Sequence, residues 1–384
     1  MSQGGASQGG ASQGGGNTAP RLRIVLMRGG TSKGVFVRDG DLPAAGPARD
    51  RLLLRLMGSP DPMQLDGLGG SHSSTSKVVA VSPSQRPDTD VEYLFAQVGI
   101  DRAVVDYRGN CGNLTTAVGA YAIDEGLVAV SGPVTPVRLL NRNTGTRIIA
   151  HVPVADGRAA TTGDCVVAGV PGTGAPVITE YLDPAGAVLG ALLPTGSARD
   201  TVTGPGWGPI EVSLVDVAGP VAFARAADLG LDPLLDPVTA NADAGLLSRL
   251  EELRAACAVL AGLAATPGAA RTASPALPRL ALVGDRRQDR PGDLSLRVLS
   301  MARMHHACPM TVLLCAAAAT LIPGTVPHAA ALTRGGWPEG GATVSVAHPK
   351  GIAAATVRLG RGTAVDSVAI TRTARRLLTG EAYL

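Results

Sequence analysis

The chain has 384 residues, 45% of them hydrophobic and 17% charged, which suits one large domain or two lobes and allows a substantial buried core. Its net charge of +3 is spread along the chain without a basic block and only 3% of residues are aromatic, which argues against nucleic-acid binding. No uninterrupted apolar run reaches the roughly 18 residues of a membrane span. The five cysteines form no CxxC pair and read as reduced thiols of a cytoplasmic protein, with neither a disulfide framework nor a structural metal site.

Residues 1–20 carry an SQGGA repeat, a small polar segment expected to be a disordered low-complexity tail and not a signal peptide. Residues 21–27 alternate as a strand, GGTS turns the chain, and 33–38 form a second strand. A short amphipathic helix over 49–57 ends at Gly58-Ser59-Pro60, and 66–76 is a Gly/Ser-rich loop. Strands follow at 77–82, 91–98 and 104–106, then a helix over 114–125 capped by Gly126, then strands near 137–140, 147–153 and 187–193. The second half begins near 195, so the lobes are placed at 21–194 and 195–384. It has a strand over 210–217, a long amphipathic helix over 244–263, strands at 280–283 and 294–297, and an Ala-rich helix over 311–321. Strands at 342–347 and 353–358 close it. Each half is thus short strands plus one helix apolar on all sides, which must be buried. That pattern, made twice, predicts an α+β chain with a cleft between two similar lobes.

Only three of the 34 basic residues are lysines, and Lys33, Lys77 and Lys350 fall in GGTSKG, SSTSKV and AHPKG. An amine can lose its proton when desolvated, whereas a guanidinium cannot, so a retained lysine suits acid–base work. Gly109-Asn110-Cys111-Gly112-Asn113 precedes a helix. Gly and Asn tolerate left-handed angles, so backbone N–H groups can converge on an anion at the helix's positive end, where a cysteine is a candidate nucleophile or acid/base. Ser73-Ser74-Thr75-Ser76 offers hydroxyls to a carboxylate ahead of Lys77. His305 and His306 precede the second helix and are candidates for carboxylate binding or proton transfer.

The segments MRGGTSKGVFV, GGSHSSTSKVV, YRGNCGNLTTAVGAYAIDEGLV, LVDVAGPVAFARAADLGL, LSMARMHHA and the IPGT…HPKG pair resemble the PrpF family over about residues 21–360. That family comprises 2-methylaconitate cis-trans isomerases, 4-oxalomesaconate tautomerases and methylitaconate isomerases. The resemblance implies the diaminopimelate epimerase-like fold, two pseudo-symmetric lobes that each wrap a strand-rich barrel around a central helix. It implies a cofactor-independent isomerase that shifts an allylic proton in an unsaturated di- or tricarboxylic acid, with no organic cofactor and no metal. Lys77 and Cys111 match the family's catalytic pair. Thr31, Ser32, Lys33, Ser74, Thr75, Ser76, Asn110, Gly112 and Asn113 are the expected substrate-binding residues of the first lobe. Ser300, Met301, His305, His306 and Thr311 would face them from the second.

The chain departs from the expected pattern at Cys308-Pro309-Met310, where small residues are expected, and at Lys350, where serine is commoner. Pro removes an N–H and Met adds bulk, so a second carboxylate pocket is expected to be reshaped. Two rival readings remain. A two-base racemase or epimerase would need Cys308 facing Cys111. A non-catalytic protein would only hold a tricarboxylate or dock on a partner enzyme. Exposed sheet edges make a homodimer an expectation.

Overall fold

The computed structural model describes residues 1, 20–204, 206–285, 291–331, 337–362 and 364–384. The low-complexity segment over 2–19 lies outside the described residues. Nineteen strands join in one sheet that curls around two buried helices, Gly112–Asp124 and Met310–Leu321. The first helix packs against strands Arg21–Gly29, Ser32–Arg38, Lys77–Pro83, Val134–Asn141, Arg147–Ala155 and Val177–Leu182. The second packs against Ile210–Asp216, Pro220–Arg225, Gly341–His348, Gly351–Leu359 and Val365–Arg372. Both helices are buried on every face except for Asn113 and Asp124 in the first. Alanine, glycine and threonine let the surrounding strands come close, so a core with few aromatics still packs densely.

One hydrophobic cluster runs through both helices, and they touch each other. Strand Val177–Leu182 pairs antiparallel with Arg147–Ala155 on one side and with Val365–Arg372 on the other, which stitches the two halves into a continuous sheet. A second cluster lies under helix Ala244–Leu260, and a third under helix Pro47–Met57.

The structure differs from the sequence reading in several places, among them the seam strand Val177–Leu182 and the short helices Pro237–Ala242, Pro267–Ala273 and Val326–Ala331, where the sequence reading places no element. Residues 187–193 form turns in place of a strand, because Asp216 accepts the backbone N–H groups of Val188 and Leu189 and folds the segment back. Strand Pro220–Arg225 was not anticipated; its residues are nearly all buried and lack the alternation of a half-exposed strand. Two strands follow residue 359, and the last, Ala374–Tyr383, returns to pair along the whole of Arg21–Gly29. That final strand is mostly exposed and polar, which leaves little hydrophobic pattern to read.

Among the described residues no helix is long and apolar enough to cross a membrane.

Candidate active site

Three turns and two helix starts converge between the halves. The Gly29-Gly30 turn presses on the first helix: a Cβ on Gly29 would stand 2.2 Å from the Asn113 carbonyl oxygen, and one on Gly30 2.2 Å from Asn113 Oδ1. Gly30 also has φ +47°. Only glycine fits there, and the close approach lets Asn113 Nδ2 donate to Thr31 Oγ1 at 3.0 Å. Cys111 is the helix N-cap, and no side chain caps that end, so the first-turn N–H groups retain their positive field. Its thiol faces the hydroxyl of Ser32, which is buried, with Sγ donating to Oγ at 3.7 Å.

Lys77 begins the strand that follows the hydroxyl loop and is 8% exposed. Its Nζ donates to Gln97 Oε1 at 2.5 Å and lies 5.0 Å from the centre of the Phe95 ring. The Gln97 amide cannot turn away, because its Nε2 donates to the carbonyls of Ser73 and Ser76. The amine is therefore held by a neutral acceptor and not by a carboxylate. Burial pushes Lys77 below the ordinary lysine value, Cys111 opposes the shift, and the Arg279 guanidinium adds to it.

The second helix meets this site head-on. Pro309 is its N-cap, so the missing N–H precedes the first turn and the Met310, Thr311 and Val312 donors remain. The Met310 side chain lies against Gly112: a Cβ there would stand 2.0 Å from Met310 Cε. Met310 is buried, so its bulk sits between the two helix starts. Thr311 Oγ1 accepts from Arg279 Nη1 at 3.1 Å.

Arg279, at the start of strand Arg279–Gly284, was absent from the sequence-predicted set. Burial lowers its pKa, while Cys111 and Cys308 pull the other way, so both thiols lie within reach of its field. Its buried Nε has no hydrogen-bond partner, and no described carboxylate pairs with it. Only its position at a strand start after a Pro-rich loop marked it, and 30 other arginines share the chain.

His305 and His306 stack with ring centres 4.6 Å apart, and His72 from the hydroxyl loop meets His306 edge-on at 5.4 Å. The loop before Lys77 thus touches the segment before the second helix, across the cleft. Burial holds His305 down at about 4, helped by His306, Arg279 and His72, and its Nδ1 accepts the Ala307 N–H, which only the neutral ring can do. Burial also lowers His306, and holds His348 at about 4 with help from Arg372, Arg297 and His306. No carboxylate acts on any of these groups. With these histidines held neutral, the guanidiniums of Arg279 and Arg372 carry the positive charge of the cleft, which suits an anion.

The other predicted residues divide. Ser76 is buried and spent on structure, donating to the Val98 carbonyl and accepting from Gln64. Ser74 and Thr75 bond to His72, and Ser74 O receives the Lys33 N–H. Asn110 Oδ1 accepts from Tyr93 and Thr115. Lys33 is partly buried on its strand. Ser300 ends strand Leu294–Ser300, and Met301 is 56% exposed with φ +54° at the tip of the hairpin it starts. Among the described residues no group of three or more His, Cys, Asp and Glu is arranged to hold a metal ion.

The buried histidines give a pH prediction. A folded pKa near 4 lies below the ordinary 6.5, so the unfolded chain takes up a proton that the folded chain refuses. The stability from neutral His305 and His348 is complete above pH 6.5 and is lost as pH falls toward 4. The expected slope is at most about 1.4 kcal/mol per pH unit for each histidine. Urea unfolding at pH 7.5 and 5.0 should show a lower midpoint at pH 5.0, and His305→Asn should flatten the difference.

Comparison with known proteins follows the same lines. The family model described as PrpF protein matches residues 19–384. A 3-methylitaconate isomerase from Eubacterium barkeri is 42% identical over 375 residues, covering 95% of this chain and 97% of that protein. A 4-oxalomesaconate tautomerase from Pseudomonas putida is 50% identical over 234 residues, covering 61% of this chain and 63% of its own. The crystal structure of a methylitaconate-delta-isomerase superposes with a TM-score of 0.82 at 41% identity, covering 96% of both chains. A hydroxyproline epimerase from Agrobacterium vitis shares the fold alone, with a TM-score of 0.53 at 12% identity, covering 95% of this chain and 93% of that one.

Proposed function

The chain belongs to the PrpF family, with its diaminopimelate epimerase-like α+β fold, and is an isomerase; we propose that it moves a double bond in an unsaturated di- or tricarboxylate by an allylic proton shift between Lys77 and Cys111. The observation that carries this reading is the buried Lys77 amine, lowered in pKa, held by Gln97 and set beside a cysteine at an uncapped helix N-terminus.

Lys77 in its neutral form removes a proton from the carbon next to the far end of a C=C–COO⁻ unit. The electron pair moves into the double bond and on to the carboxylate, giving a dienolate with added charge on a group already anionic. The first-turn N–H groups at Gly112 and Asn113 and the Arg279 guanidinium stabilise that charge. Cys111, as thiol, returns a proton to the other end of the allyl unit, and the amine and thiolate exchange protons to close the cycle. Ser32 orients the thiol through its hydroxyl. The epimerase rival is not favoured. Burial pushes the Cys308 thiol up to about 12 despite Arg372, Arg279 and Arg297, so it is a poor second base facing Cys111.

The substrates named for the relatives supply the probes. Proton NMR of the purified chain in D₂O with 3-methylitaconate, 4-oxalomesaconate and 2-methylaconitate is expected to show one acid interconverting, with deuterium entering its allylic carbon. Absence of exchange with all three would remove the reading. The homodimer and the cytoplasmic setting stay as proposals for sizing and fractionation.

A further inference from the structure

Beside the Lys77–Cys111 centre lies a cavity of about 280 Å³. Thr31 and Asn113 line it from the first half, and Cys308, Thr343, His348 and Arg372 from the second. Lys77 and Cys111 are not among its lining residues. It meets the centre through Asn113, the residue two after Cys111, and through Cys308, which lies within the fields of both Arg279 and Arg372. Arg372, Arg279 and Arg297 all act on Cys308, and of these Arg372 lines the cavity itself while Arg279 also acts on Cys111.

We propose that this cavity is a second anion subsite, in which Arg372 and His348 take the substrate carboxylate farthest from Lys77, and that it selects three-carboxylate over two-carboxylate acids. The proposal rests on the reading of the chain as a polycarboxylate isomerase and names the substrate class within it.

Four observations carry it. Arg372 is partly buried, its one described side-chain hydrogen bond runs from Nη1 to the carbonyl of Thr371, and no described carboxylate pairs with it. A guanidinium so placed has most of its fork free for a carboxylate, the geometry it binds best. His348 is 7% exposed, and its Nδ1 accepts the Lys350 N–H at 3.2 Å. A neutral ring that accepts at Nδ1 carries its proton on Nε2, so His348 presents a donor and no acceptor. Asn113 and Thr31 add polar groups on the opposite wall. Finally, the groups that act on Arg372 and His348 are thiols, a phenol and cations, and among the described residues no carboxylate competes for the site.

The volume, near the small end of ligand sites at about 300 Å³, leaves ample room for a carboxymethyl arm of the substrate. A dicarboxylate would engage Lys77, Arg279 and the first helix and leave this cavity to water. A tricarboxylate would fill both.

Binding by the full chain of two saturated, unreactive acids, propane-1,2,3-tricarboxylate and glutarate, tests this by calorimetry. The wild type should bind the tricarboxylate at least about tenfold tighter, a difference of about 1.4 kcal/mol. Arg372→Gln should weaken the tricarboxylate by about 10- to 100-fold and glutarate by less than about twofold; Arg372→Lys should recover part of the loss. Should Arg372→Gln fail to fold, His348→Leu reads the same split. Equal losses for both acids, no loss for either, or failure of the wild type to bind the tricarboxylate would each overturn the subsite. The test needs no turnover, so failure of the isomerase reading is seen separately, in the D₂O exchange experiment.

Discussion

Lys77→Ala is expected to lower kcat by about 10²- to 10⁴-fold, the range typical for loss of a positioned acid–base group. Substrate affinity should fall much less. The amine is not the chain's anion anchor, since Arg279 and the first-helix N–H groups remain, and it is held by the Gln97 amide. Lys77→Arg separates the two roles open to a lysine. A guanidinium keeps the positive charge but cannot give up its proton near neutral pH. If Lys77 is the base, the arginine variant is as inactive as the alanine one. Activity surviving in Lys77→Arg and lost in Lys77→Ala would make Lys77 an electrostatic clamp. The pH profile is a second reading of the same claim. Burial lowers the folded pKa below 10.5, so the rising limb of kcat/KM, which follows the neutral amine, should lie below the ordinary lysine range. Over the window between the folded value and 10.5 the unfolded chain binds the extra proton. Stability tied to this group is therefore lost as pH falls through it, and Lys77→Met should remove that dependence.

The first-half site was readable because its chemistry is local in sequence. GGTSKG, SSTSK and GNCGN each bring unusual residue types together within six positions, and the scarcity of lysine made Lys77 stand out. The buried helices were readable because residues 114–123 and 311–321 are apolar on all faces. What the sequence hid depends on tertiary placement. Arg279 and Arg372 are two of 31 arginines, and apart from the Pro-rich loop before Arg279 nothing beside them marks either one. They matter because parallel pairing sets Arg279 beside Val221, and because Arg372 ends a strand that crosses from the second half to Val177 in the first. His72 lies within GGSHSSTSK, where nothing in the sequence sets it apart from the hydroxyls around it; its meaning comes from meeting His306 across the cleft. Met310 was expected to intrude on a pocket, and its methyl group does lie against Gly112. The Thr311 hydroxyl beside it still accepts from Arg279.

Arg279→Met should make the chain less active and no less stable, a combination that a structural arginine would not give. The activity side follows from position. The guanidinium acts on Lys77, Cys111 and Cys308 through its field, it donates to Thr311 in the first turn of the second helix, and no described carboxylate pairs with it. If it meets the charge that builds on the substrate carboxylate, its loss should cost about 10²- to 10³-fold in kcat/KM, as for removal of one donor to a developing oxyanion. The stability side follows from burial. Arg279 has lost water without gaining an anion, its Nε has no partner, and its one side-chain hydrogen bond ends on Thr311. An unpaired buried cation costs free energy in the empty protein, and methionine of similar length replaces it with apolar contacts. The melting temperature of Arg279→Met should therefore equal or exceed that of the wild type, while tricarboxylate ligands should raise the wild-type value more than the variant's. A variant that melts earlier and loses activity in proportion would make Arg279 a strut for the second helix. Addition of guanidinium ion to Arg279→Ala provides the complementary check, because partial rescue of turnover requires that the missing group acted by its charge at that place.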